Sequence, residues 1–286
     1  MVLNAGVYFA YRDQYLASEK APLAGVSSKD LAEGGGAPYV RRGLRQYVPD
    51  LWFQLLYKKL RFEAEGVMVA GSLQSASAEG AGLSYKLRQI GVATQTELKA
   101  VEDRLRLQFG FGWASGDQGL LPDGTRTSTL SPPRNGTILG GRVADDRTYT
   151  EFRFHPDYRI DLILNRNILG RVQGEYYFRP SVDYDFTRSN EGQKLGGGAA
   201  IIWSRASEFI QTPGHRRDLG IELDLSVYYQ SKDGALNDNP DKMGGFFTML
   251  QYGVLFPMGG LSYLPQEQGP DTSTAHTLRW FLGILY

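Results

Sequence analysis

Few residue types in this chain are able to do covalent chemistry. There are three histidines, His155, His215 and His276, and no cysteine. Thiol catalysis, disulfides and thiolate metal sites are thereby excluded. The histidine spacing matches no zinc motif. A hydrolase would need one of them beside a Ser or Asp partner, and His155 with Asp157 or His215 with Asp218 are the available pairs. Both pairs fall in loop-like sequence, where a solvated histidine is the commoner occurrence, so we read the chain as a non-enzyme. Gly196-Gly197-Gly198 follows Lys194, but no Gly-Lys-Ser/Thr and no helical pattern comes after it, so it is not a phosphate loop. Strand glycines beside large aromatics explain it better. Asp117, Asp123, Asp145 and Asp146 match no calcium loop. No metal and no cofactor are expected.

The charged residues that follow a pattern are those inside alternating stretches. Arg12, Glu63, Glu65, Lys86, Arg104, Arg106, Arg171, Glu175, Arg179, Asp183, Asp185, Glu222 and Asp224 all fall on the polar side of segments whose other side is apolar. Strict period two of this kind marks β-strands with one polar and one apolar face. Placed around an enclosed space, these side chains would line a water-filled pore and bias ion passage. Alternatively, they would pair into a ladder filling a narrow barrel.

The elements that must carry them follow from the same alternation. Residues 219–230 are the sharpest case, with Leu219, Ile221, Leu223, Leu225, Val227 and Tyr229 opposite Gly220, Glu222, Asp224, Ser226, Tyr228 and Gln230. Strands are also expected at 2–12, 47–58, 60–71, 83–98, 105–113, 171–186, 195–204, 245–256 and 277–286. In the strand at 83–98 the phase slips, which a β-bulge near Arg88-Gln89 would repair. Pro180 on the apolar side implies a bulge or a local gap in the ladder. Residues 115–169 lose the alternation. They read as an insert folded into the lumen, or as a short extra hairpin around Pro156-Asp157. The count is therefore about ten strands, with twelve as the alternative, both even as in single-chain bacterial barrels.

Composition agrees. Lys+Arg and Asp+Glu are equal at 31 each, so no nucleic-acid partner is expected. Gly 35, Tyr 17 and Phe 14 are numbers that barrels favour. No apolar run approaches the roughly 20 residues of a transmembrane helix. The start, Met1 to Tyr11, is strand-like and lacks the basic, apolar character of a signal peptide, which points to a removed leader or to the C-terminal part of a longer protein.

The last stretch carries the most specific pattern. Leu278, Trp280, Leu282, Ile284 and Tyr286 alternate with Thr277, Arg279, Phe281, Gly283 and Leu285, and the chain stops on an aromatic. This resembles the closing strand of Gram-negative outer-membrane β-barrels, where such residues act as an assembly signal. Residues 104–117 (RLRLQFGFGWASGD) and 250–257 (LQYGVLFP) are similar to barrel strands running into outer loops, as in a poorly characterised group of longer predicted porins. The resemblance implies a single all-β domain over 1–286, a transmembrane antiparallel up-and-down barrel with 115–169 as a long loop or lumen insert. It implies long outer loops, short periplasmic turns and a bacterial outer-membrane location. The partners would be the bilayer, the outer-membrane assembly machinery, and ions or small hydrophilic solutes in passive passage. Trp113, Trp203 and Phe256 at outer strand ends, and Tyr57, Phe62, Phe186, Tyr229 and Tyr286 at inner ends, would form the two interfacial belts. A non-conducting structural or loop-binding barrel is the other functional reading, and a soluble two-sheet sandwich the other fold.

Overall fold

The computed structural model describes residues 1–18, 39–74, 84–118, 147–189, 192–209, 212–231, 245–262 and 272–285. Among them the strands are β1 (Val2–Ser18), β2 (Tyr39–Tyr57), β3 (Leu60–Leu73), β4 (Tyr85–Ala100), β5 (Leu105–Ala114), the two-residue β6 (Thr148–Tyr149), β7 (Glu175–Arg188), β8 (Lys194–Ala206), β9 (Asp218–Gln230), β10 (Gly245–Pro257) and β11 (Ala275–Leu285). One turn of π-helix spans Leu164–Ile168, and among the described residues no helix is long and apolar enough to cross a membrane.

Ten of the eleven strands form an antiparallel meander in chain order, β1-β2-β3-β4-β5-β7-β8-β9-β10-β11, and β6 pairs parallel to β4 off this path. β1 and β11 do not pair, so the sheet is open. The alternation sets the two faces. Leu225, Val227, Leu250, Leu278 and Trp280 lie exposed on one face, and Glu222, Asp224 and Gln251 lie on the other. Phe109, Phe178 and Trp203 continue the apolar face across β5, β7 and β8, with Phe178 stacked on Trp203 at 5.6 Å between ring centroids.

The expected slip in β4 is absent. β3 and β4 keep one register from Leu60↔Leu98 to Leu73↔Tyr85, with no bulge at Arg88-Gln89. Leu87 lies instead on the polar face, buried there with Val69 and Leu73. Farther along β4 another segment covers this face, with the Phe152 ring over Gly91. Pro180 does leave a gap in the β7–β8 ladder between Phe178↔Trp203 and Ser181↔Ala200, without a change of register, and a shift occurs later, at Asp185/Thr187.

The covering segment is residues 147–173, in which 148–155 and 158–164 do not pair as a hairpin around Pro156-Asp157. Two small apolar clusters fix it to the sheet. Leu162, Ile163 and Leu164 pack with Ala206, Leu219 and Leu255, and Ile160 and Val172 pack with Tyr177, Ala200 and Ile202. Leu219 belongs by alternation to the apolar face. The ladder shifts at Ser204/Arg205, and Leu219 is fully buried against the insert. Burying a Leu- or Ile-sized side chain stabilises by roughly 1.5–3 kcal/mol, so these contacts hold the segment down. Close approach also needs room. A Cβ on Gly91 would occupy the ring of Phe152, and one on Gly112 would lie 2.9 Å from Cζ of Tyr177.

Candidate functional site

The polar face and the segment lying on it form the candidate site. The segment turns back on itself at the π-helix, whose first amides lack intrahelical acceptors. Two carboxylates supply them. Glu222 of β9, 1 % exposed, accepts N–H bonds from Leu162 (2.9 Å) and Ile163 (2.7 Å) at Oε1 and from Leu164 (2.9 Å) at Oε2. Asp161 accepts the amides of Asn165 (2.8 Å) and Arg166 (3.0 Å), and the Asn165 side-chain amide. Every amide from 162 to 166 thus meets a carboxylate oxygen. Burial, followed by the nearby Glu222, pushes the Asp161 carboxyl up to about 6, against the hydrogen bonds from Asn165 and Arg166. A buried acid beside a second acid resists ionisation for both reasons.

Further ties run along the segment. Arg179 donates from Nε to the Ile160 carbonyl at 2.8 Å, and the Tyr158 and Tyr177 hydroxyls meet at 2.5 Å. Glu151, fully buried, receives Arg153 at 2.7 Å and the Tyr149 hydroxyl at 2.7 Å. At the near end, the Lys86 amide donates to the Arg147 carbonyl at 2.6 Å.

A second network crosses β8. Arg106 of β5 donates to Tyr228 Oη at 2.8 Å and to Asp185 Oδ2 at 3.4 Å, and its Nε lies 4.0 Å from Asp183. Tyr228 in turn donates to Asp185. Tyr228 reaches from β9 to β7 because Gly196 lies between them, where a Cβ would collide with its ring. The glycine run expected to give way to an aromatic does so. Beyond it, Glu63 takes Arg61 at 2.5 Å and also the side-chain amide of Gln54, and Gln108 donates to Glu97 at 3.2 Å.

The thirteen charged residues singled out from the sequence are therefore not all placed alike. Glu63, Glu65, Arg106, Arg179, Asp183, Asp185, Glu222 and Asp224 share the polar face, and Arg12 extends it on exposed β1, where it donates to Gln14. Glu175, fully buried, is on that face at the mouth of the insert, with no hydrogen-bond partner on either carboxylate oxygen. Lys86 lies on the opposite face of β4, in phase with the exposed Ile90. The sequence reading had bulged the strand between them, and without the bulge the phase carries through. Arg104 sits in the turn before β5, and Arg171 in the segment before β7, so neither is on a strand. Of the closing-strand residues, Leu278, Trp280, Leu282 and Ile284 project from the apolar face at 60–74 % exposure, Arg279 from the other, and Tyr286 lies outside the described residues.

Two polar cavities flank the insert. One, of about 170 Å³, is bounded by Arg61, Glu97, Gln108, Tyr158, Arg159 and Arg179. The other, of about 180 Å³, is bounded by Arg159, Arg166, Arg179, Asp183, Asp224 and Gln251 among others. Arg159, Asp161 and Arg166 were not anticipated as site residues. Their signal is an apolar cluster without alternation, Ile160 and 162–164, flanked by arginines: a segment that must pack on something while keeping charge at its rim. Histidines take no part. His155 is exposed beside Asp157 at 3.5 Å, and His276 meets Tyr252 on the apolar face. Among the described residues no group of three acids or histidines is arranged to hold a metal. No known family model matches the chain, and no curated protein matches it in sequence.

Proposed function

We propose that the chain is a transmembrane, up-and-down β-barrel of the bacterial outer membrane, closed between β1 and β11, that gives passive passage to ions or small hydrophilic solutes. The observation that carries this reading is the continuous apolar face. It runs across the meander with side chains such as Val7 (80 % exposed), Leu51, Leu107, Ile201, Val227 and Ile284 uncovered, while the charged side chains gather on the reverse. A soluble protein would bury such a face, whereas hydrocarbon is its natural solvent. The edges support closure. β1 and β11 are long, apolar-faced and unpaired, an arrangement prone to aggregation unless the edges meet. With ten meander strands the last runs antiparallel to the first, so the closing pair is of the same kind as the rest.

The polar face then becomes the lumen wall and the insert its constriction, with the two cavities as water-filled space on either side. The second reading, a non-conducting barrel, draws on the same insert. Barrels of about eight strands are filled by side chains, and an open channel comes with about sixteen. A ten-stranded wall that also holds residues 147–173 is narrow.

The test is planar-bilayer conductance of the purified, refolded chain, alongside circular dichroism in detergent. Mostly β-structure with discrete conductance steps is expected. Substantial helix, or solubility as a monomer without detergent, would overturn the barrel. Correct folding with electrical silence would favour the filled barrel.

A further inference from the structure

Arg159 and Arg179 both border the two cavities, and Arg166 borders the second. Their hydrogen bonds go to neutral acceptors. Arg159 reaches the Gly170 carbonyl at 3.3 Å, Arg166 the Asp161 carbonyl at 3.3 Å, and Arg179 the Ile160 carbonyl and, at 3.3 Å, the Ser181 hydroxyl. Among the described residues none of the three forms an ion pair. Two of the acids nearby are otherwise engaged. Asp161 is taken up by backbone amides, and Asp183 faces Arg106. Asp224 lies beside Glu222, and its Oδ1 is buried without a hydrogen-bond partner. Burial, followed by the nearby Arg279 and Arg159, disfavours the charge on Arg166, against Asp161 and Asp224, and the Arg279 guanidinium rests 4.8 Å over the Phe281 ring. Elsewhere on the polar face the charges are paired across strands, as in Arg106 with Asp185 and Arg61 with Glu63. Around the insert the pairing fails for both signs: among the described residues these three arginines form no ion pair, and neither do the buried Asp161, Glu175 and Glu222 or the neighbouring Asp224.

We propose that Arg159, Arg166 and Arg179 form a binding site for a small solute bearing a carboxylate or phosphate group, seated in the groove between the insert and strands β7–β10. The guanidinium fork offers two parallel N–H donors to such an oxyanion, in a groove where Arg166 and Arg179 are half-buried and Arg159 is exposed. Two of the three arginines border both cavities, so a bound oxyanion is handed from one side of the insert to the other past the same side chains. As a statement about what passes through, this rests on the porin reading. As a binding site, it does not.

The experiment is equilibrium titration of the refolded full chain in detergent with succinate, inorganic phosphate and, as a neutral control, succinamide. It is repeated on Arg159→Gln and on the double variant Arg159→Gln/Arg166→Gln. Heat-modifiable gel mobility verifies that each variant folds. Saturable binding of succinate or phosphate, absent for succinamide, should weaken about tenfold in the single variant, as expected for losing one charge-assisted contact, and more in the double. The two anions' relative affinities tell carboxylate from phosphate. No saturable anion binding by the folded chain, or equal binding by the folded double variant, overturns the site. Bilayer conductance of the same preparations separates the two ideas. Binding with electrical silence retains the site and overturns the porin reading, and conductance without binding does the reverse.

Discussion

Glu222 is the residue whose replacement tests the insert most directly. Its carboxylate is buried and accepts three consecutive backbone amides, at 2.9, 2.7 and 2.9 Å. Removing it in Glu222→Ala leaves those amides without acceptors beneath Leu255 and Leu219. Each orphaned buried N–H costs about 1–3 kcal/mol, so the total is about 3–6 kcal/mol after allowing for partial rescue by water. The apolar contacts of Leu162, Ile163 and Leu164 remain and are of similar size, so the turn should open often without leaving the sheet entirely. Glu222→Gln keeps one acceptor oxygen, able to serve Leu162 and Ile163, but points an NH₂ at the Leu164 amide. It should cost about 1–3 kcal/mol, the penalty for one orphaned donor. Hydrogen exchange on the refolded protein reads this out. Amide protection at 162–164 should fall in the order wild type, Gln, Ala, while the ladder amides of β9 and β10 change little. Trypsin cleavage after Arg159 or Arg166 should accelerate in the same order. Equal protection in all three proteins would refute the idea that Glu222 holds the insert, and the clusters alone would then have to do so.

Three further outcomes are expected. On the proposed barrel reading, Leu282→Arg should destabilise the refolded chain by roughly 2–4 kcal/mol, because a charge at mid-membrane would face hydrocarbon. Gly283→Arg, where an added Cβ comes no closer than 4.0 Å to Phe247, should cost much less, and heat-modifiable gel mobility compares the two. If Gly283→Arg folds worse, the faces are reversed. The Asp161 carboxyl, raised to about 6 chiefly by burial, favours the docked insert while protonated. Its contribution is complete below the free carboxyl value of about 3.9 and is lost as pH rises through about 6. A spin label on Asn167→Cys, in a chain without native cysteine, should grow more mobile between pH 4 and 7, and Asp161→Asn should flatten that response. Finally, Gly112→Val should drive Tyr177 away from Tyr158 and destabilise by about 1–3 kcal/mol, as overpacking does. Denaturant titration in detergent measures that loss, and no change in midpoint would mean that the ring has room to move.

The wall of this molecule was legible because alternation is a local signal. Residues 219–230 declare two faces without reference to anything distant, and β9 with its partners uses those faces. The rule failed where a third body touches the sheet. Leu87 looked out of phase because apolar residues were assigned to one face only, whereas it is buried on the polar face with Val69 and Leu73. Placing a bulge there also put Lys86 on the wrong side. The insert itself was unreadable in detail, since its path depends on Glu222 bonding amides 58–60 positions earlier in the chain. Glu222 showed in the sequence as one more acid on a polar face. Its three amides carry no side-chain signature.

β5 and β7 are hydrogen-bonded neighbours from Leu105↔Tyr184 to Trp113↔Tyr176, although the whole insert lies between them in sequence. The detour therefore begins and ends at adjacent points of one ladder, and β5 and β7 could be joined by a tight turn without disturbing a single rung. The loop-closure cost of so long an excursion grows only with the logarithm of its length, so the wall tolerates it cheaply. Insert and wall are then separable units: the one can lengthen, shorten or change its chemistry while the other keeps its register.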